Sequence, residues 1–280
     1  MNGKAKTIAV FLQESPKCVM VSVAHVQGST PRDAGAFMLV SSRGSLRTIG
    51  GGQLEYAAID RARQMLKSGT SHDVASVGLG PETGQCCGGR VSLQFQQVDE
   101  DISRCLIDQE ETELRALPHV YIFGAGHVGN ALSRAFSLLP VRAILVDNRK
   151  TELDQAPDSI ETCLAAMPEE LVRDAPPGSA FLILTHDHAL DFLIASEALA
   201  RTDAAYTGMI GSKSKRGTFS HWFRREGGDQ NALKRLICPM GGAAIKDKRP
   251  EVIAALAAAE VLTALLGVAE TAAQSVKALA

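Results

Sequence analysis

The sequence has no surplus of charge of either sign. It carries 29 lysines and arginines against 31 aspartates and glutamates, a formal net charge of −2. No field of one sign is available to gather nucleic acid or anionic lipid. Between Met1 and Val10 there is no continuous apolar core of the signal-peptide kind. The longest apolar stretches read as strand length, which predicts no transmembrane helix. These absences predict a cytoplasmic protein with neither a membrane nor a nucleic-acid partner. Long internal repeats and low-complexity tracts are missing too. A charged fraction of 21% and a mean hydropathy near zero exclude wholesale disorder. The six cysteines, Cys18, Cys86, Cys87, Cys105, Cys163 and Cys238, read as free thiols of a reducing compartment. The adjacent pair makes a poor disulfide, because neighbouring Cα atoms lie about 3.8 Å apart, below the disulfide range.

Hydrophobic residues make up 45% of 280 residues, enough for a full core, and the length suggests two domains. The first half mixes elements. A short amphipathic helix is expected over 4–13, then strands over 18–26, 36–40 and 45–49. After Gly50-Gly51-Gly52, the positions Leu54, Ala58, Ile59, Ala62 and Leu66 fit a helix, with Gly69 as its stop. An irregular segment, Gly78 to Gly89, precedes a strand over 90–96. The acidic, weakly patterned stretch that follows is expected to be a linker. From His119 the rhythm becomes strand, turn, helix. Strands are expected over 119–123, 142–146, 160–164, 180–185, 205–210 and 236–238. Helices are expected over 130–139, 191–200, 214–225 and 250–266, the last opened by Pro250. The fold class is therefore α/β: a C-terminal Rossmann-like parallel sheet with a smaller N-terminal α+β domain. The expected divisions are 1–98, a linker at 99–117, and 118–280.

The strongest local motif is Gly124-Ala125-Gly126-His127-Val128-Gly129, a full GxGxxG between a strand and a helix. Gly124 would permit the tight turn, Gly126 the approach of backbone to a phosphate, and Gly129 close packing of helix on strand. The helix start offers free N–H groups and a positive dipole end. Asp147, ending the next strand, is placed to accept hydrogen bonds from a ribose diol, and Arg149 is placed instead for a 2′-phosphate. A scaffold that binds no dinucleotide has the same pattern.

Two further segments should fall at strand ends. Thr185-His186-Asp187-His188-Ala189-Leu190-Asp191 offers a His-Asp-His cluster for metal or proton transfer, or simply an aspartate capping the next helix. Gly211-Ser212-Lys213-Ser214-Lys215-Arg216 sets three cations at a helix start. That costs stability unless an anion lies near, so an anion site competes with a solvated basic face. Gly84-Gln85-Cys86-Cys87-Gly88-Gly89 carries two thiols in a glycine-lined turn, suited to soft-metal ligation, sulfur handling or nucleophilic attack, or to plain packing.

Taken in order, these segments resemble the XdhC/CoxI family of xanthine dehydrogenase accessory proteins. The resemblance spans nearly the whole chain. It rests on Val26-Gln27-Gly28-Ser29-Thr30-Pro31-Arg32, Ile49-Gly50-Gly51-Gly52-Gln53-Leu54-Glu55, the Cys86–Cys87 loop through Arg90, the glycine fingerprint, the Thr185–Asp191 segment, and Gly208-Met209-Ile210-Gly211-Ser212 with Lys215-Arg216. Gln53 stands where some members carry cysteine, and Cys238-Pro239-Met240-Gly241-Gly242 matches the family's closing pattern loosely.

The resemblance implies a chaperone of the molybdenum cofactor, which is held during sulfuration by a cysteine desulfurase and then inserted into apo xanthine dehydrogenase or a related molybdenum hydroxylase. It implies no catalytic residue. The cofactor-binding residues would be Gly51, Gly52, Gln85, Gly124, Gly126, His127, Gly129, Asp147, Lys213, Lys215 and Arg216, with Cys86 and Cys87 toward the metal. A homodimer is compatible with the C-terminal helix. Two rivals stay open: an NAD(P)-dependent oxidoreductase, which uses the fingerprint and Asp147, and a nucleotide- or thiol-sensing binding module.

Overall fold

A computed structural model describes residues 7–80, 88–242 and 247–277, with side chains to residue 267. The chain forms two units, Ala5–Arg115 and one built from Ala116 onward.

The first unit holds a five-stranded antiparallel sheet: β1 (Cys18–Gln27), β2 (Phe37–Ser41), β3 (Ser45–Arg47), β4 (His72–Gly78) and β5 (Arg90–Gln97), in the order β3-β2-β1-β5-β4. Alternation sorts its side chains. Val19, Val21, Val23, Met38 and Val40 meet Leu54, Ala58, Ala62 and Met65 of α2 (Gly52–Ser68) on one face. Cys18, Phe37 and Leu39 meet Ile8 and Phe11 of α1 (Ile8–Glu14) and Leu106 of α3 (Glu100–Arg115) on the other. With both faces covered, β2 is buried throughout. Gly69 ends α2 as expected, left-handed, its N–H donating to the Met65 carbonyl.

The stretch expected to be a linker is instead mostly helix. Asp99 accepts from the Ile102 N–H at 2.8 Å and opens α3. Glu110 of α3 in turn accepts from Ile8 N at 2.8 Å, capping α1. Of its few apolar residues, Ile102, Leu106 and Ile107 pack while Leu114 stays exposed, so one narrow stripe holds a mainly acidic helix to the sheet. Strand β4 carries no run of apolar residues. It is an edge strand whose partner, β5, supplies the order through a seven-residue antiparallel register.

In the second unit six parallel strands run β11-β10-β9-β6-β7-β8. They are β6 (His119–Phe123), β7 (Arg142–Asp147), β8 (Glu161–Leu164), β9 (Ala180–Ile183), β10 (Tyr206–Met209) and β11 (Leu236–Ile237). Numbered within the unit, this is the 3-2-1-4-5-6 order of a doubly wound Rossmann sheet. One face carries α4 (His127–Phe136), the short α5 (Lys150–Leu153) and α9 (Pro250–Lys277). The other carries α6 (Pro168–Asp174), α7 (His188–Ala200) and α8 (Lys213–Arg225). Helix α9 is longer than expected. Its Pro250–Gly267 stretch is long and apolar enough, by length and composition, to cross a membrane, contrary to the reading of the apolar runs as strand length. Here Ala254, Ala257, Ala258, Val261 and Leu265 belong to the core shared with α4.

Candidate functional site

In such a sheet ligands lie beyond the carboxyl ends of the strands, where the order reverses. That point falls between β6 and β9, flanked by the fingerprint loop and the Thr185 loop. The fingerprint glycines divide their work as the spacing predicts. Gly124 has φ +120°, and a Cβ there would lie 2.3 Å from the Leu184 carbonyl oxygen. A Cβ on Gly129 would lie 1.9 Å from the Gly124 carbonyl oxygen, so the helix can sit this close to the strand only with glycine. At Gly126 no atom lies within 4 Å of the Cβ position, and space opens outward. Helix α4 starts directly there. Gly126 is its N-cap and no side chain caps it, leaving the N–H groups of the first turn free. His127 opens the helix, exposed.

Asp147 does not face outward. Its side chain is 2% exposed. One carboxylate oxygen accepts from Ala125 N at 2.7 Å and an Arg149 terminal nitrogen at 3.0 Å. The other accepts from Arg149 N and Nε, each at 3.0 Å. Burial pushes the Asp147 pKa up, but the Arg149 guanidinium and the two backbone N–H groups outweigh it and hold the carboxyl below its usual range. All four lone-pair directions are thus satisfied within the protein. Asp147 braces the fingerprint loop, and neither it nor Arg149 stands free for a ribose or its phosphate. The crevice beside Gly124 and Asp147, lined also by Phe123, Asn148, Thr185 and His186, has a volume of about 10 Å³, room for roughly one water.

Of the strand-end histidine cluster, Asp187 is the cap of α7, accepting from Ala189 N at 2.8 Å. His186 and His188 are exposed, and no metal-holding cluster occurs among the described residues. Asp191, by contrast, is fully buried. It accepts from Thr185 N at 2.9 Å and Thr185 Oγ1 at 2.8 Å and pairs with Lys215 Nζ. This pairing answers the puzzle of three cations at the start of α8, because the compensating anion for Lys215 is the protein's own carboxylate. The aliphatic stem of Lys215 lies over Gly211, and Arg216 donates to the Cys238 carbonyl at 3.4 Å. Lys213 alone of the three is exposed.

In the first unit, three of the glycine-bearing motifs converge at one end of the sheet. A Cβ on Gly50 would lie 2.6 Å from Pro31 Cγ, and one on Gly89 would lie 2.2 Å from the Ser29 carbonyl oxygen. Ser29 and Gly88 form a parallel bridge. Gly51 and Gly52 have φ +74° and +64° and lead into α2, which has no side-chain cap. Glu55 reaches back from α2 to accept from Thr48 Oγ1 at 2.5 Å, Gly51 N at 3.1 Å and Ile49 N at 3.3 Å, pinning the triglycine turn. Gln85, Cys86 and Cys87 lie outside the described residues. The segment that holds them leaves from Leu79 and Gly80 and returns at Gly88, where Leu79 and Gly88–Gly89 exchange backbone hydrogen bonds of 2.8 Å. The four remaining cysteines are free, and burial pushes the Cys18 thiol up to about 11.

Glu55, Asn130 and Asp191 are the polar anchors to which sequence reasoning gave no such role. Each hides its partners in another turn or element. The one local signal is Glu55, a carboxylate following an uncapped glycine helix start by four residues.

The fold and strand-end loops define the class: a two-unit α/β protein whose second half is a Rossmann domain with an open helix N-terminus at its switch point. Residues 120–261 match the family described as the XdhC Rossmann domain, and residues 11–78 match the XdhC and CoxI family. The chain belongs to the XdhC family. It is 28% identical over 253 residues to the uncharacterized protein YqeB of Escherichia coli K12, a match covering 87% of this chain and 42% of YqeB. The chain thus spans about two-fifths of that relative. Its fold is shared with a crystal structure described as a xanthine dehydrogenase from Bacillus halodurans. The TM-score is 0.74 and the identity 18%, over 93% of this chain and 96% of that one.

Proposed function

We propose that the chain is an accessory protein that binds the molybdenum cofactor and supports its sulfuration and its insertion into xanthine dehydrogenase or a related molybdenum hydroxylase. A cysteine desulfurase and the apo-hydroxylase are the partners of this role. Family membership supports the accessory role. The observation that carries the binding is the uncapped start of α4 at Gly126, with open space beyond it, a fit for the terminal phosphate of the pterin. The N–H groups of Gly126, His127 and Val128 would hold that phosphate. Lys213, on a second strand-end loop of the same sheet, would add a positive charge. Cys86 and Cys87 would serve as soft donors toward the metal. Gly51 and Gly52 would offer a second backbone surface. When bound, the cofactor supplies the molybdenum centre that the hydroxylase uses, and the role of this chain is to hold and release it.

A second reading, NAD(P) binding, draws on the 3-2-1-4-5-6 strand order and the complete fingerprint. It has to displace Arg149 before Asp147 can meet a ribose.

The test is metal and pterin content. The protein is purified from a host that makes the cofactor. Molybdenum is measured by mass spectrometry, and pterin by fluorescence after oxidation. Near-stoichiometric amounts of both are expected. Neither species, where a known cofactor binder retains both, would overturn the proposal and turn the work to NAD titration.

A further inference from the structure

We propose that β4 is a self-complementary edge, able to pair antiparallel with β4 of a second copy, and that the Arg61–Asp73 ion pair holds it closed by occupying the backbone groups of its central outward residue, Val74. The edge lies in the first unit and involves no residue proposed to touch the cofactor.

An edge strand offers unpaired backbone to any other strand, and folds blunt this by keeping edges short or by proline, lysine or a bulge. The edges β3, β8 and β11 are three, four and two residues long. Strand β4 has seven, in unbroken register with β5 and with neither proline nor lysine. Gln97 N donates to the Ser71 carbonyl at 2.9 Å, beside the His72–Gln96 pair. That bond fixes the phase of the ladder. Asp73, Ala75 and Val77 exchange hydrogen bonds with β5, while His72, Val74 and Ser76 turn N–H and C=O to the open side.

Among the described residues, no partner meets the outward groups of His72 or Ser76. Val74 differs. Its N–H donates to Asp73 Oδ1 at 2.8 Å, and its carbonyl accepts from Arg61 Nη2 at 3.1 Å. Arg61 Nε and Asp73 Oδ2 close the ring at 2.6 Å. The ion pair thus gives Val74 the acceptor and the donor that a neighbouring strand would give it. Arg61, and then the Val74 N–H, hold the Asp73 carboxyl below its usual range.

The hydrogen-bond pattern selects a second copy as the occupant. With a two-fold axis through Val74, an antiparallel pair sets Val74 opposite Val74 and His72 opposite Ser76. Every outward N–H then meets an outward C=O. The Val74 side chain, 54% exposed, would meet its twin across the axis. Helix α2 leaves the approach open, because a cleft of about 600 Å³ lies beside the ion pair, lined by Ala57, Asp60, Gln64, Met65 and Thr70.

The experiment measures self-association of the full chain by sedimentation over a concentration series, with melting temperatures as the control for folding. Wild type, R61A/D73A, S76P and R61A/D73A/S76P are compared. The double variant is expected to associate pairwise about tenfold more tightly than wild type, on the order of one or two net hydrogen bonds. Ser76→Pro removes an outward N–H that β5 does not use, so it is tolerated at this edge. It is expected to leave wild type unchanged and to reverse the gain of the double variant. Should R61A/D73A not fold, Arg61→Met, which frees the Val74 carbonyl alone, is expected to show a smaller gain that S76P also reverses. A folded double variant that associates no more than wild type overturns the proposal. So does a gain that S76P leaves intact, or open-ended aggregation in place of a dimer. A wild type whose own association is broken by S76P alone would show that the ion pair does not close the edge.

Discussion

At the residue scale, the second and third glycines of the fingerprint answer to different demands. Gly129 is required by packing, since a Cβ would lie 1.9 Å from a backbone oxygen that has no freedom to rotate away. Gly129→Ala is expected to cost about 2–3 kcal/mol and to lower the melting temperature by on the order of 8 °C for a unit of this size. Gly126 has φ −70° and ψ −169°, open to any residue, and nothing stands near its Cβ position. Gly126→Ala should change stability by no more than about 1 kcal/mol while weakening sulfate binding at the amides of α4. Equal melting temperatures for the two variants would contradict this division. Asp147 adds a pH dependence. Its folded pKa lies below the unfolded value, so its contribution is present above the unfolded pKa, about 4. It is lost as pH falls from there through the folded value. Arg149→Met removes two of the four hydrogen bonds and leaves burial less opposed. The melting-temperature gap between wild type and R149M should be widest above about pH 4 and should narrow on acidification. A gap that widens toward low pH would refute the assignment.

At the element scale, α3 shows how a helix with little apolar content earns its place by position. It covers Phe37 and Leu39 beside α1, and its Glu110 caps α1, while Arg47 reaches Glu113 at 3.0 Å. A fragment covering 5–115 is therefore expected to give a cooperative thermal transition. A fragment ending at 98 strips one sheet face and should bind a hydrophobic dye and aggregate. Calorimetry of the two decides it, and a cooperative transition of equal midpoint from both would show that α3 is dispensable. Helix α8 teaches the complementary lesson. Its first-turn Lys215 opposes the helix dipole in isolation, yet the buried Asp191 of α7 meets it, so a charge unfavourable within its own helix is neutralised by a neighbouring one.

At the scale of the whole molecule, the two units each concentrate glycine where backbone approaches backbone or turns tightly. The proposed cofactor has two chemically distinct ends, and the two ends should be separable by mutation. Cys86→Ala and Cys87→Ala are expected to lower the molybdenum-to-pterin ratio of purified protein while leaving pterin content near wild type. Loss of both together, or of neither, would remove the thiols from the metal end. Because the chain spans about two-fifths of YqeB, the same ratio measured on that longer relative would show whether the shared region suffices for retention.

Much was legible in the sequence because it is local. Strand β6, its GxGxxG and the helix after it follow from short-range pattern, since a glycine's freedom and a helix dipole act within a few residues. That the strands around them run parallel follows from the same alternation; their order does not. The edge strand β4 and the short helix α6 escaped notice because neither has a strong period of its own, and α3 because a narrow apolar stripe suffices when a sheet face waits for it. Apart from the aspartate cap of α7, side-chain commitments were not legible. Asp147 and Lys215 have the residue types of ligand-binding groups, and sequence determined only that they stand near strand ends. Whether each faces a ligand or a partner within the protein depended on Arg149, Ala125 and Asp191 being brought within about 3 Å, the range of a hydrogen bond, and for Ala125 and Asp191 only the packing of separate elements sets that distance.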